Sequence, residues 1–305
     1  AIKTALLLSE ILPFAPINPL ASVSPTPIVE TVSYSTDSRT LEAILYRPAQ
    51  PGRYGTIILF LGANPNLADP VFLRLAEGLA RVGVVTFVPT NPDLVDGKIG
   101  LSDIDNLVVA FNYLEGENFV DKERIGYAGF CVGAAMSLVA AADGRIAHKV
   151  SFVNAFGSYY DLFDFIQTFS SKRIIHGPID QLWEAHEFSR TLIKDHLMTT
   201  LTRQAEREIV RNALANDNKA LAKVPLLSSE ASAIYYLLKG VSATRAEKLT
   251  SALPQETLAR LKLLSPSNYV NDIKAKIFIM HDVGDTYIPY TESRKLAESM
   301  PPELT

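Results

Sequence analysis

Regular patterning begins at residue 28. Two β-branched apolar runs, 28–35 and 40–46, flank Thr36-Asp37-Ser38-Arg39, which is the signature of a hairpin. After the turn residues Arg47-Pro48 to Gly52, apolar strands without alternation exchange with helices. Thr56–Leu61, Val84–Val88, Arg124–Ala128 and His148–Ala155 read as strands. Val71–Arg81, with Phe72, Leu73, Leu75 and Leu79, has helical spacing, as does Leu101–Leu114, with apolar residues at 104, 107, 108, 111 and 114. Cys131–Ala142 is small and apolar throughout and predicts a buried helix. Strands that are apolar on both faces and separated by helices make a mostly parallel sheet covered on both sides, an α/β fold.

The pattern breaks between Tyr159 and Leu264, where the chain is more polar and reads as helical without a strand: 162–169, 179–199, 203–215, 230–238, 243–253 and 255–263. Lys276–Met280 restores the strand and Thr291–Met300 predicts another helix. An insertion of this size inside a βα series is too long for a loop, so 159–264 is expected to be a helical cap inserted before the late strand 276–280. The core is then 28–158 and 265–305, with an N-terminal arm over 1–27. The five prolines of residues 13–27 argue for an extended segment. The apolar residues 5–12 are too few to span a bilayer and predict an amphipathic helix packed on the domain. The alternative is the tail of a membrane anchor upstream of Ala1.

Composition adds exclusions rather than a function. Of 305 residues 48 % are apolar and 20 % charged, which suits a globular domain with a substantial core. The net charge of −4, without a Lys/Arg cluster, argues against a nucleic-acid partner. A single cysteine rules out an internal disulfide framework and raises the question of why that thiol sits where it does.

It sits in Gly129-Phe130-Cys131-Val132-Gly133, where a strand ends and a helix begins, the context required of a nucleophile elbow. Glycines two residues before and after the nucleophile let the strand and helix close around a tight turn. The helix N-terminus favours the thiolate, and the Val132 N–H points where an oxyanion forms. Two other readings stand beside this one: a buried structural cysteine in a packing turn, and a phosphate-cradling glycine turn. The latter is weakened because the spacing is not G-x-G-x-x-G and no acid ends the following strand. The second candidate is Asp285, in His281-Asp282-Val283-Gly284-Asp285-Thr286-Tyr287-Ile288-Pro289 after the late strand. An acid at the carboxyl end of a parallel strand can orient a histidine base; the plainer alternative is a turn aspartate capping the next helix. The third is Leu61-Gly62-Ala63-Asn64, where the N–H of Ala63 or Asn64 is placed to be the second oxyanion donor.

These motifs together resemble the α/β-hydrolase superfamily over the whole chain outside the cap. The elbow is similar to that of the dienelactone hydrolase branch, in which cysteine replaces serine. The run 281–289 resembles the His-Gly-x-x-Asp-x-x-Val-Pro pattern carrying the triad acid, with Asp282 in place of glycine. The resemblance implies Cys131 and Asp285 as catalytic residues, backbone oxyanion donors at Ala63 and Val132, a small-molecule ester, lactone or thioester substrate, and no cofactor or metal. The cap departs from dienelactone hydrolases proper and implies a different, bulkier substrate. The resemblance also implies a base histidine after a further strand, beyond Thr305. Of the histidines present, His148 lies at the wrong sheet edge, His176, His186 and His196 lie in the cap without metal spacing, and His281 is structural in this pattern. A non-catalytic scaffold that binds a ligand or partner is the second reading. No residue is assigned to substrate binding. The cap aromatics Tyr159, Tyr160, Phe163, Phe165, Trp183, Tyr235 and Tyr236 suit either an acyl pocket or the cap's own core.

Overall fold

The computed structural model describes residues 5–7, 19–35, 39–90 and 100–305. The chain divides into two compact units: Ala1–Phe156 with Tyr269–Ile279 and Met300–Thr305, and Gly157–Asn268 with Met280–Ser299.

The first unit is built on a seven-stranded sheet. A short helix α1 (Pro19–Val23) precedes β1 (Ile28–Ser35) and β2 (Thr40–Arg47). This helix corrects the expectation of an uninterrupted extended arm, because Pro19 stands at a helix's first position, where its missing N–H costs nothing. The rest of the proline-rich stretch up to residue 18 lies outside the described residues, as do most of the apolar run 5–12 and the turn residues 36–38. Then follow β3 (Tyr54–Phe60), α2 (Pro70–Arg81), β4 (Val84–Thr90), α3 (Leu101–Gly116), β5 (Val120–Phe130), α4 (Val132–Ala141), β6 (Phe152–Phe156) and, late in the chain, β9 (Lys276–Met280). The strand order is β1-β2-β4-β3-β5-β6-β9. Strands β1 and β2 pair antiparallel from Ile28↔Arg47 to Ser35↔Thr40, and β2 runs antiparallel to β4. The pairs β3·β4, β3·β5 and β5·β6 are parallel.

Local chemistry explains the elements. The Asp69 carboxylate caps α2 by accepting the N–H groups of Val71 (2.7 Å) and Phe72 (3.3 Å). Phe72, Ala76 and Ala80 on one side of that helix bury against Tyr46, Leu59, Val88 and Ala128. Helix α3 buries Leu107, Val108, Phe111 and Leu114, and its Leu107 carbonyl accepts the buried Tyr127 hydroxyl of β5 at 3.0 Å. All ten residues of α4 are buried. The expected strand over 148–155 begins only at Phe152, because residues 142–150 turn back on Asp143, whose carbonyl accepts from the N–H groups of Ile146 and Ala147.

The second unit holds α5 (Leu162–Ser171), β7 (Arg173–His176), β8 (Ile179–Leu182), α6 (Glu187–Thr200), α7 (Gln204–Leu214), α8 (Asn218–Leu221), α9 (Ser229–Lys239), α10 (Ala243–Ser251), α11 (Gln255–Leu263) and α12 (Tyr290–Ser299). The antiparallel pair β7·β8 corrects the expectation of an all-helical insertion and of a helix starting at Ile179. Each strand has only four residues, and the link is His176-Gly177-Pro178-Ile179 with Gly177 at φ +55°. Glycine adopts that conformation without strain. Phe165 packs between Tyr159 and Trp183 at 6.3 Å from each ring, and the buried Tyr159 hydroxyl donates to the Leu264 carbonyl at 2.9 Å. A buried charge pair ties α12 in place: Glu292, fully enclosed, accepts the N–H groups of Tyr160 and Asp161 and the ammonium of Lys295 (2.7 Å), which also reaches Asp164 (3.0 Å). Among the described residues no helix is long and apolar enough to cross a membrane.

Candidate active site

Cys131 stands between the last residue of β5 and the first of α4, at φ 56° and ψ −127°. This backbone conformation is strongly disfavoured for a residue with a side chain, and strain of this kind concentrates at functional turns. The neighbouring contacts hold it there. The Cys131 N–H donates to the Phe156 carbonyl at 2.8 Å, and its carbonyl accepts the Ala134 N–H at 3.1 Å. The rings of Phe130 and Phe156 stack at 4.7 Å.

The flanking glycines are required by closeness. A β-carbon on Gly129 would lie 2.4 Å from the Ala134 α-carbon, and one on Gly133 would lie 2.4 Å from the Phe60 carbonyl oxygen. Elbow, helix and the end of β3 thus interlock backbone to backbone. Gly62 touches the same turn: its added β-carbon would meet the Phe130 carbonyl oxygen at 3.0 Å and the Cys131 β-carbon at 3.1 Å. The loop after β3 continues through half-exposed Ala63 into Asn64 at φ 54°, a left-handed conformation that asparagine tolerates better than most residues. Val132 opens α4, and an N–H in a helix's first turn has no partner within its own helix. The Cys131 N–H is committed to Phe156, so the donors available around the thiol come from the residues that follow it and from the Gly62 loop.

Asp285 belongs to the second unit, in the turn between β9 and α12. Its Oδ1 accepts the N–H groups of Tyr287 (2.6 Å) and Ile288 (3.3 Å), and its Oδ2 lies 3.1 Å from His281 Nε2. Its backbone carbonyl accepts the Trp183 indole N–H at 2.9 Å, and the Thr286 carbonyl accepts the His186 N–H at 2.8 Å. Burial pushes the Asp285 carboxyl up, but the His281 hydrogen bond and the two backbone N–H groups outweigh it and hold the carboxyl below its usual range. The group is held as a carboxylate.

The histidines fall into separate settings. His281 is almost fully enclosed, with both ring nitrogens engaged. His186 caps α6 by accepting the Phe188 N–H at Nδ1 and stacks on Tyr287 at 4.5 Å. His176 faces Glu298 at 3.1 Å. His196 is half-buried; its Nε2 is enclosed and has no hydrogen-bond partner among the described residues, and desolvation lowers its pKa to about 4. His148 is exposed in the turn before β6. The environment of His281 and the ties from Trp183 and His186 to the Asp285 loop are not readable from spacing, because those residues lie about a hundred positions apart or carry no motif.

No protein-family model matches the chain. A 145-residue stretch is 29 % identical to a curated Bradyrhizobium protein named as a probable 2-oxo-3-(5-oxofuran-2-ylidene)propanoate lactonase, covering 41 % of this chain and 55 % of that one. The crystal structure of the 2,6-dihydroxy-pseudo-oxynicotine hydrolase superposes with a TM-score of 0.54 at 14 % identity, over 90 % of this chain and 58 % of that one. The Pyrococcus horikoshii acylaminoacyl peptidase does so at 0.53 and 13 % identity, over 92 % and 36 %. The chain has the α/β-hydrolase fold. It spans little more than half the length of its curated lactonase relative. The lactonase match runs in the same direction as the resemblance to the dienelactone hydrolase branch.

Proposed function

We propose that the chain carries the active site of a hydrolase acting on small ester, lactone or thioester substrates, with Cys131 as nucleophile. The observation that carries the reading is the strained backbone of Cys131, locked between Gly129 and Gly133 at the head of α4. A structural cysteine gains nothing from a disfavoured φ, whereas a nucleophile gains a side chain held clear of both strand and helix. The likeness to a lactonase supports the same class.

In this reading the Cys131 thiolate, favoured by the N-terminus of α4, attacks the substrate carbonyl carbon and forms a C–S bond. The N–H groups of Val132 and Ala63 stabilise the oxyanion. Collapse expels the alkoxide or thiolate, which takes up a proton, and leaves an acyl-thioester on Cys131. Water, deprotonated by a histidine that Asp285 orients, then attacks the thioester and releases the acid and the free thiolate. In the chain order of this fold that histidine follows the acid. The acyl-thioester step needs no base and is open to test on this chain. The wild-type chain should release p-nitrophenol from short p-nitrophenyl esters, and Cys131→Ala or iodoacetamide treatment should abolish it. Unchanged release in Cys131→Ala would overturn the assignment.

A further inference from the structure

The contacts around His281 go beyond a buried structural histidine. Nε2 lies 3.1 Å from Asp285 Oδ2 and 3.0 Å from the Ile288 carbonyl oxygen. Both are acceptors, and a carbonyl oxygen can only accept, so Nε2 carries a proton. Nδ1 lies 2.7 Å from Ser293 Oγ, whose hydroxyl donates to it when the ring is neutral. Ser293 is itself buried on α12, and the ring is only 5 % exposed, so its orientation is determined from both ends. Oδ1 of Asp285 is taken by two backbone N–H groups, which leaves Oδ2 as the oxygen whose direction a side chain sets. Gly157 preserves room beside that oxygen: at φ +59° its added β-carbon would come within 3.3 Å of Oδ2.

We infer that His281, held by Ser293, is a positioning residue that aims Oδ2 of Asp285 at the base histidine. This rests on the hydrolase reading above. His281 donates one hydrogen bond to Oδ2 and leaves the second acceptor site of that oxygen for the base. Without it, Oδ2 loses its only side-chain donor among the described residues, and the carboxylate can pivot about the two N–H groups on Oδ1. A base histidine oriented by a misdirected carboxylate presents the wrong tautomer, which slows its chemistry without changing how substrate binds.

The test is a double-mutant cycle on the full-length protein, read by acylation burst, kcat and KM with a p-nitrophenyl ester. His281→Ala should lower kcat about ten- to a hundredfold, the scale of one hydrogen bond to a charged group, with the acylation burst unchanged and KM falling in step with kcat, because only deacylation slows. His281→Gln, whose amide N–H can replace the donor, should recover most of the loss and guards against a folding artefact. In an Asp285→Asn background His281→Ala should cost nothing further. Overturning results are an undiminished loss in that background, an unchanged kcat in His281→Ala, or a parallel loss in His281→Gln and His281→Ala. If wild-type Cys131 is never acylated, the hydrolase reading itself fails; if it is acylated and the His281 variants turn over normally, the positioning role alone fails.

Discussion

Gly133→Ala tests the interlocking of the elbow with the sheet. The new methyl carbon would sit 2.4 Å from the Phe60 carbonyl oxygen and 3.0 Å from that of Leu61. Carbon and carbonyl oxygen settle at about 3.3 Å, so the methyl group is about 0.9 Å too close to its nearest neighbour. Neither side can yield easily. Phe60 ends a strand paired on both edges, facing Gly129 of β5, and α4 is buried along its whole length. Overpacking a tight site costs about 1–3 kcal/mol, and the rigid backbone partners place this substitution near the upper limit, about 3 kcal/mol. Gly144→Ala is the control, because Gly144 is exposed with nothing within 4 Å of an added β-carbon, and its effect should stay within about 0.5 kcal/mol. Urea unfolding followed by circular dichroism should show a clearly lowered midpoint for Gly133→Ala at unchanged slope, and wild-type behaviour for the control. If both variants unfold with the wild type, the backbone contact does not hold the elbow and the steric reasoning is wrong.

Other substitutions separate the roles of the second unit. Asp285→Asn should reduce ester turnover by orders of magnitude in the full-length protein while leaving the urea midpoint near wild type; a large loss of stability instead would return Asp285 to a turn-capping role. Lys295→Met strands the enclosed Glu292 carboxylate and should destabilise by about 3 kcal/mol or more, whereas Asp164→Asn, on the half-exposed end of the same cluster, should cost under about 1 kcal/mol. His196 should make stability depend on pH. Its folded value is about 4 against 6.5 for the ordinary group, so between the two the unfolded chain binds more protons. Stability is therefore full above about 6.5 and lost as pH falls toward 4, by up to about 3 kcal/mol. Urea midpoints measured across that range should fall less steeply in His196→Leu, and identical slopes would contradict the assignment.

The legible parts of the fold were those whose signal is local and repeated. Runs such as Thr56–Leu61 and Val84–Val88 are apolar on both faces and bounded by Gly and Pro, so β3 and β4 lie close to where the pattern puts them. The elbow was legible because its glycines, its thiol and the helix behind it occupy five adjacent positions. The hairpin β7·β8 was not, because four residues carry barely one period of alternation and Ile179 merges with the helical pattern that follows. Glu292 and Lys295 look like ordinary surface charges of an amphipathic helix; what buries them is Tyr160 to Asp164, some 130 positions earlier. The reading of His281 as structural did not reach its hydrogen bonds to Ser293 and Asp285, which depend on how the 281–289 turn closes on itself.

The most direct test of the nucleophile is to trap it. Wild-type chain mixed with p-nitrophenyl acetate and quenched in acid should gain the mass of one acetyl group, mapped by peptide sequencing to Cys131, with a burst of one p-nitrophenol per chain and no adduct in Cys131→Ala. Acetyl groups scattered over lysines, or an unmodified Cys131 peptide after complete mixing, would contradict the account.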